Sequence, residues 1–438
     1  MRSSTEIVDC RTAILAAVLG GWSLAAQPHC APRRARAGAC VRTAYFYKPP
    51  VDGTPASFIA TRFDLVLLTH GDGSFRRKLR RQGYAGPVLQ TVGANEAEGP
   101  GPYANHRAAC NESYAPYQRT VADEPGVFCR DLHPHESWFL HNRHGERVYS
   151  RVLSAHHLWR TTYAMNPAAP GWRHFFAQRL LRERRLGYDG YFLDNLWLSL
   201  GWLRQTANGG QGLAEFHDSA ALRVAVTGFL RQLRRTLPKT PIWANLTNDP
   251  DRPGDWDAYL PYLDGVMVED FLVGWRKAPL SPARRLGQMQ NVAMALRMGK
   301  SVLLVAQGRP KERERLARSL AAYWLLSNGR LFYRFTDAFA HAYRDVAWTS
   351  AYDHGPGPAA APARRRGWTW SRTFHQEVLR LDLQWQHTSG IPQRRQRAFG
   401  FGRERRAIHR RPAGAHDHRG PPISRAARPG WPLTHATR

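Results

Sequence analysis

The stretch Gly187-Tyr188-Asp189-Gly190-Tyr191-Phe192-Leu193-Asp194-Asn195 constrains the fold more than any other part of the chain. Its Tyr-Phe-Leu run belongs in a core, where an ionised carboxylate is costly unless it is paired or solvated. Asp194 must therefore stand where the strand emerges from the core, and Asp189 where it enters. Two other segments are entered the same way, through Phe63-Asp64 and Leu263-Asp264-Gly265. In a barrel of parallel strands, the exit end carries the chemistry and the entry end carries stability.

Eight apolar runs have strand character: 41–47, 63–69, 87–92, 188–194, 241–246, 265–269, 301–306 and 331–335. Helical periodicity lies between them at 74–82, 171–185, 214–237, 282–298 and 311–327. Such alternation implies a parallel sheet. Eight units over about 300 residues imply the α/β class and a (β/α)8 TIM barrel over 41–345. A doubly wound sheet is disfavoured because no Gly-x-Gly-x-x-Gly follows any strand. A long polar insertion, about 93–165, interrupts the barrel after its third strand. Beyond a Pro/Gly/Ala linker at 355–362, residues 365–391 read as a small β appendage with a hairpin, and 392–438 as a disordered Arg-rich tail.

The formal net charge is +29. It is a weak sign of a nucleic-acid partner, because only six of the 63 basic residues are Lys. That skew, beside abundant Ala, Pro and Gly, matches GC-rich coding. The tail after residue 392 carries much of the excess. Residues 12–26 form an apolar segment of signal-peptide length, too short to span a bilayer comfortably. Residues 1–26 therefore read as a signal peptide, and the protein as exported to the periplasm or the extracellular space. Export permits disulfides. Of the four cysteines left after cleavage, Cys110 and Cys129 are expected to pair across the insertion, with Cys30–Cys40 as a second bridge.

The aspartates at the strand entries, Asp64, Asp189 and Asp264, are expected to cap or pair at the bottom of the barrel. Five residues on from each stand Thr69, Asp194 and Glu269. These are ends of alternate strands, which share a layer of inward side chains. Equal offset gives equal facing. Asp194 and Glu269 should therefore meet at the barrel mouth. Two carboxylates so placed suit glycosidic cleavage, one protonating the leaving oxygen and the other attacking carbon or activating water. Tyr47, Asn95, Glu96, Asn195, Trp197, Asn245, Asp270 and Arg334 are candidate substrate contacts. Asn195 and Asp270 equally suit a supporting or loop-capping role. Trp138, Trp202 and Trp275 are further candidates for stacking on sugar rings. His133-Pro134-His135 and His156-His157 lie in the insertion rather than on a first strand, so neither a metal nor another cofactor is expected. No Gly-x-Ser-x-Gly elbow exists for ester chemistry.

Five elements in order resemble the bacterial TIM-barrel glycoside hydrolases labelled hypothetical, which are similar to the endo-α-1,4-polygalactosaminidase group. They are Gln90-Thr-Val-Gly-Ala-Asn-Glu-Ala-Glu-Gly-Pro, Trp138-Phe-Leu with Gly145, Met165-Asn-Pro with Gly171-Trp172, the Gly187–Asn195 stretch, and Asp264-Gly-Val-Met-Val-Glu-Asp. The resemblance covers roughly 41–350. It implies a retaining or inverting carbohydrate hydrolase with acids on the fourth and sixth strands.

The leading expectation is thus an exported, monomeric glycoside hydrolase acting on a poly- or oligosaccharide. No nucleic-acid partner is expected, nor a transmembrane segment in the mature chain. An inactive carbohydrate-binding barrel would use the same aromatics and lack only the carboxylate chemistry. A polyanion binder acting through the tail would lose affinity steeply with salt. The tail has no periodic apolar positions to bury. Deleting residues 393–438 should leave the thermal midpoint within a few degrees of the parent, as read by differential scanning calorimetry.

Overall fold

The computed structural model describes residues 30, 38–100, 110, 126–153, 159–204, 206, 208–247, 252–275, 279–337, 343–375 and 377–385. The expected signal segment and tail lie outside them. Eight parallel strands form one sheet: β1 (Ala44–Tyr45), β2 (Leu65–Thr69), β3 (Val88–Gly93), β7 (Gly190–Trp197), β8 (Ile242–Thr247), β9 (Gly265–Val268), β10 (Ser301–Gln307) and β11 (Leu331–Thr336). A parallel bridge between Thr43 and Tyr333 joins the two edge strands and closes the ring. Helices α1 (Ala56–Arg62), α2 (Gly73–Arg81), α3 (Pro170–Glu183), α4 (Ser219–Thr236), α5 (Pro282–Arg297) and α6 (Arg313–Leu326) alternate with the strands. This is the expected TIM barrel.

Period-two alternation sorts the strand residues into two cores. Leu65, Leu67, Leu89, Phe192, Trp243, Met267, Leu303, Val305 and Phe332 pack on one another inside the ring. Their neighbours, among them Tyr191, Leu193, Val266, Val302 and Leu304, pack outward with residues of the helices. The outward set demands amphipathic helices. In α4, Leu222, Val226, Phe229, Leu230 and Leu233 are buried on one face, and Asp218 caps the N-terminus by accepting from the Ala221 N–H at 2.8 Å.

The entry aspartates do what their position suggests. Asp64 accepts from the N–H of Thr43 at 2.8 Å, Asp189 from that of Val88 at 2.6 Å, and Asp264 from that of Ile242 at 2.8 Å. Each thus satisfies the first or nearly first amide of the strand before its own. Asp189 and Asp264 also pair with Arg80 and Arg234. The glycines that follow two of them have a separate cause. Gly190 and Gly265 begin their strands facing inward. A Cβ on Gly265 would lie 2.3 Å from the Trp243 indole, and one on Gly190 would lie 2.4 Å from the Pro241 carbonyl oxygen.

The insertion after β3 is a three-stranded antiparallel sheet of β4 (Glu96–Gly99), β6 (Trp159–Ala164) and β5 (Tyr149–Leu153), in that order. Disulfides join Cys110 to Cys129 and Cys30 to Cys40, with Cα separations of 5.5 and 5.7 Å. His141 fastens this lobe to the loop after β7. Its ring lies 2.7 Å from Glu215 and 2.9 Å from Glu136, and Glu136 also pairs with Arg147, which in turn contacts His133. The appendage is a three-stranded sheet, β12 (Arg364–Arg366), β13 (Thr369–Thr373) and β14 (Val378–Asp382), rather than a hairpin.

Two consequences can be measured. Gly265→Ala must push the rigid Trp243 ring aside and should cost about 1–3 kcal/mol. Adding Trp243→Leu should recover part of that loss in urea denaturation, since the ring is the obstacle. The second is a pH dependence. Hydrogen bonds first to Glu215 and then to Glu136 raise the His141 pKa, while Arg147 and His141 pull Glu136 down to about 2. The charged ring therefore contributes fully below its unfolded value of about 6.5, and the contribution is lost as pH rises through the higher folded value. The thermal midpoint should fall over that upper window, and His141→Gln should flatten the fall.

Candidate active site

The mouth is made by extending each inward row two residues past its last apolar member. Phe192 leads to Asp194, Trp243 to Asn245, Met267 to Glu269, Val305 to Gln307, Phe332 to Arg334 and Leu67 to Thr69. The apolar core thus ends in a polar ring at the C-terminal edge of the strands, where loops rather than hydrocarbon meet it.

Asp194 and Glu269 are both half-buried and share one neighbour. The buried Asn245, on the strand between theirs, donates from a single Nδ2 to Oδ1 of Asp194 at 3.2 Å and to Oε2 of Glu269 at 2.9 Å. One nitrogen bonded to both limits those two oxygens to a separation of about 6 Å. The ~5–5.5 Å between the carboxyl groups of a nucleophile–acid pair fits within that limit.

A β-bulge sets the Asp194 side. The pairing of β7 with β8 runs Leu193 to Ala244 and then Leu196 to Leu246, so Asp194 and Asn195 together oppose Asn245. The extra residue, Asn195, adopts φ 53°, a left-handed conformation that Asn tolerates better than most residues. Its backbone N–H donates to Asp194 Oδ1 at 3.0 Å, and its side-chain amide to Glu96 Oε2 at 3.1 Å. Asn95 holds the Asn195 carbonyl at 3.3 Å. Glu96 opens β4, so the insertion lobe grips the bulge that aims Asp194.

On the Glu269 side, Gln307 Nε2 donates to the Glu269 carbonyl at 2.7 Å and to the Tyr343 hydroxyl at 2.9 Å. Burial, and then the charge of Glu269, raise the Tyr343 pKa. Across the mouth, Lys48 donates to Thr69 at 2.6 Å and lies 3.5 Å from Asp72. Burial lowers the Lys48 pKa against the opposing pull of Asp72.

Several expected contacts stand elsewhere. Trp197 is 1% exposed and packs in the outer core. Asp270 follows Glu269 by one residue and so points out of the barrel, where it accepts from Gln288 at 2.8 Å and Arg284 at 3.1 Å on α5. Arg334 is on the inward row, but its donors are taken by the carbonyls of Phe46, Tyr343 and Asp345. It is a strut across the ring closure, and burial lowers its pKa. Asn95 is fully buried behind the bulge. These four are corrected from ligand contacts to supports. Glu96, Asn195 and Asn245 do gather at the pair, and Tyr47 is half-buried against the inner core. Trp138 stacks on His135 with ring centroids 4.1 Å apart, whereas Trp202 and Trp275, in the loops after β7 and β9, are 43% and 41% exposed. Reasoning from sequence alone misses Gln307, Lys48 and Tyr343. Continuing the row Leu303, Val305 by two residues finds the first.

Among solved structures, the chain is similar to the glycoside hydrolase domain of PelA from Pseudomonas aeruginosa, with 19% identity over 70% of this chain and 96% of that one and a TM-score of 0.44. It is also similar to Ega3 of Aspergillus fumigatus in complex with galactosamine, with 10% identity over 74% and 98% of the two chains and a TM-score of 0.39. A third similar structure is the alpha-galactosidase TtGalA of Thermus thermophilus, with 13% identity over 78% and 67% and a TM-score of 0.42. No curated protein matches the sequence. The sequence profile of hypothetical glycosyl hydrolase family 15 matches residues 103–378, more than half of the chain and the span that holds Asp194, Asn245 and Glu269. The chain belongs to hypothetical glycosyl hydrolase family 15, and so to the enzymes that hydrolyse O-glycosyl bonds.

Proposed function

We propose that this protein is an exported glycoside hydrolase that cleaves a polysaccharide with retention, using Asp194 as nucleophile and Glu269 as general acid and base. The observation that carries the reading is the shared Asn245 amide, which holds one oxygen of each carboxyl group within about 6 Å of the other, a spacing that suits a nucleophile–acid pair. In the first step Glu269 gives its proton to the leaving glycosidic oxygen while Asp194 bonds the anomeric carbon. In the second, Glu269 takes a proton from water, the resulting hydroxyl bonds the same carbon, and the Asp194 carboxylate leaves.

The roles follow from surroundings. Asp194 Oδ1 accepts from a backbone N–H as well as from Asn245, which fixes the position of a nucleophilic oxygen. Glu269 follows an apolar row through Met267, and its longer side chain reaches further toward a leaving group. The exposed rings of Trp202 and Trp275 sit in loops that follow the two strands bearing the pair, which suits stacking on sugars on either side of the cleaved bond. Export is supported by the two disulfides and the apolar segment at 12–26. Among the described residues, no helix is long and apolar enough to cross a membrane.

On a glycan that the parent cleaves, Asp194→Asn and Glu269→Gln should each lower turnover by on the order of 10²–10⁴ or more, with glycan binding and the thermal midpoint retained. Proton NMR of the first product should show the anomeric configuration of the substrate. Near-parental turnover in either variant would refute the pair, and an inverted first product would refute the nucleophile. Glycan binding with no cleavage by the parent would favour an inactive binding barrel.

A further inference from the structure

The exposed large apolar side chains among the described residues include two aromatic rings, Trp202 and Trp275. A ring that is 41% exposed, as Trp275 is, has little packing to hold it, so its position depends on the backbone beneath it. That backbone is the hook 270–274, which begins directly after Glu269. Phe271, Leu272 and Val273 are fully buried in it. The chain turns there through two bonds, from the Val273 N–H to the Phe271 carbonyl at 2.7 Å and from the Gly274 N–H to the Asp270 carbonyl at 3.1 Å. Leu272, at the centre of the turn, has φ 59°. A bulky residue is strained in the left-handed region and stays there only where its surroundings over-determine it.

Two side chains from the helices supply that constraint. Gln288 on α5 holds both flanks of Leu272. Its Nε2 donates to Asp270 Oδ1 at 2.8 Å, and its Oε1 accepts from the Leu272 N–H at 2.8 Å. The amide can face only one way, because a backbone N–H donates and an ionised carboxylate accepts. Arg284 holds the other Asp270 oxygen at 3.1 Å. Arg315 on α6 is 5% exposed and bridges two carbonyls. Its Nη2 donates to that of Gly274 at 2.7 Å and its Nε to that of Gln307 at 2.8 Å. The planar fork thus ties the residue before Trp275 to the end of β10. Glu269 is held by a different set of bonds, from Asn245 to its carboxyl group and from Gln307 Nε2 to its carbonyl.

We propose that Gln288 and Arg315 are positioning residues for Trp275: together they keep Leu272 left-handed and Gly274 in place, and so hold the indole as a preformed platform for a sugar ring. With both struts present, the loop does not have to be ordered when a glycan binds. Without them Leu272 relaxes out of the left-handed region and redirects the chain that leads to Trp275. The acid keeps its own supports, so the loss is one of binding rather than of chemistry. This inference rests on the reading of Trp275 as a sugar platform, but its first test needs no substrate.

The test uses the full-length protein labelled with 5-fluorotryptophan. The fluorine resonances of Trp275 and Trp202 are assigned by their absence in Trp275→Phe and Trp202→Phe. Gln288→Met keeps the length of the side chain and removes both hydrogen bonds. It should move the Trp275 resonance by more than its linewidth toward that of free 5-fluorotryptophan and leave Trp202 where it was. Arg315→Lys keeps the charge but cannot span both carbonyls, so it should act the same way, and it decides the matter if Gln288→Met does not fold. A Trp275 resonance unmoved in a folded variant would overturn the proposal. So would equal movement of Trp275 and Trp202, which is what a general loosening of the fold produces. On a glycan that the parent cleaves, Gln288→Met should raise KM severalfold with kcat within about twofold of the parent, and should add nothing in a Trp275→Ala background. An equal further loss in that background would also overturn it. Failure of the platform reading would appear separately, as a parental KM in Trp275→Ala.

Discussion

Two carboxylates within about 6 Å repel each other, and at this mouth one amide counters the repulsion by donating to both. Asn245 can do so because it stands on the strand between them, inward-facing and buried. Its own position depends on Trp243 two residues earlier, the inward residue whose ring occupies the space left by Gly265. The bottom of the barrel and its mouth are thus linked along a single strand. A change that rotates β8 by one residue would remove the core ring and the shared amide together.

Much of this arrangement is legible in the amino-acid sequence. The apolar runs mark the strands, and counting from Asp189 and Asp264 puts Asp194 and Glu269 in one layer. The count holds that far because the bulge begins only at Asp194, after the shared row has ended. It misleads one step later. Proximity to Asp194 suggests a place at the mouth for Trp197, although its side chain packs in the outer core. Asp270 departs from expectation for a simpler reason, since the residue next to an inward one points outward. The sequence puts Arg334 near the ring, but its long-range partners, the carbonyls of Phe46, Tyr343 and Asp345, have no local signature. Tyr343 is illegible on the same ground: its place is fixed by contacts with residues distant in sequence, and the segment around it has no periodicity.

The insertion lobe is more than an addition to the rim. Glu96 opens its first strand and accepts from Asn195, while Asn95 just before it holds the Asn195 carbonyl. The left-handed residue of the bulge is therefore stabilised by a segment that belongs to the lobe rather than to the barrel. Asp194 can be aimed correctly only when that sheet has formed, which ties the nucleophilic side of the mouth to the part of the molecule that departs most from the eightfold pattern.

The entry aspartates join strands in twos. Asp64 serves the strand before it, as do Asp189 and Asp264, so the caps link β1 with β2, β3 with β7, and β8 with β9. Between β10 and β11 the corresponding bond is made by backbone alone, from Val302 to the Arg330 carbonyl at 3.0 Å. The aspartate caps thus fall within successive pairs of strands. Fragments or chimaeras cut to an even number of strands keep each cap with its amide. Cuts that leave an odd number separate a cap aspartate from the amide it serves.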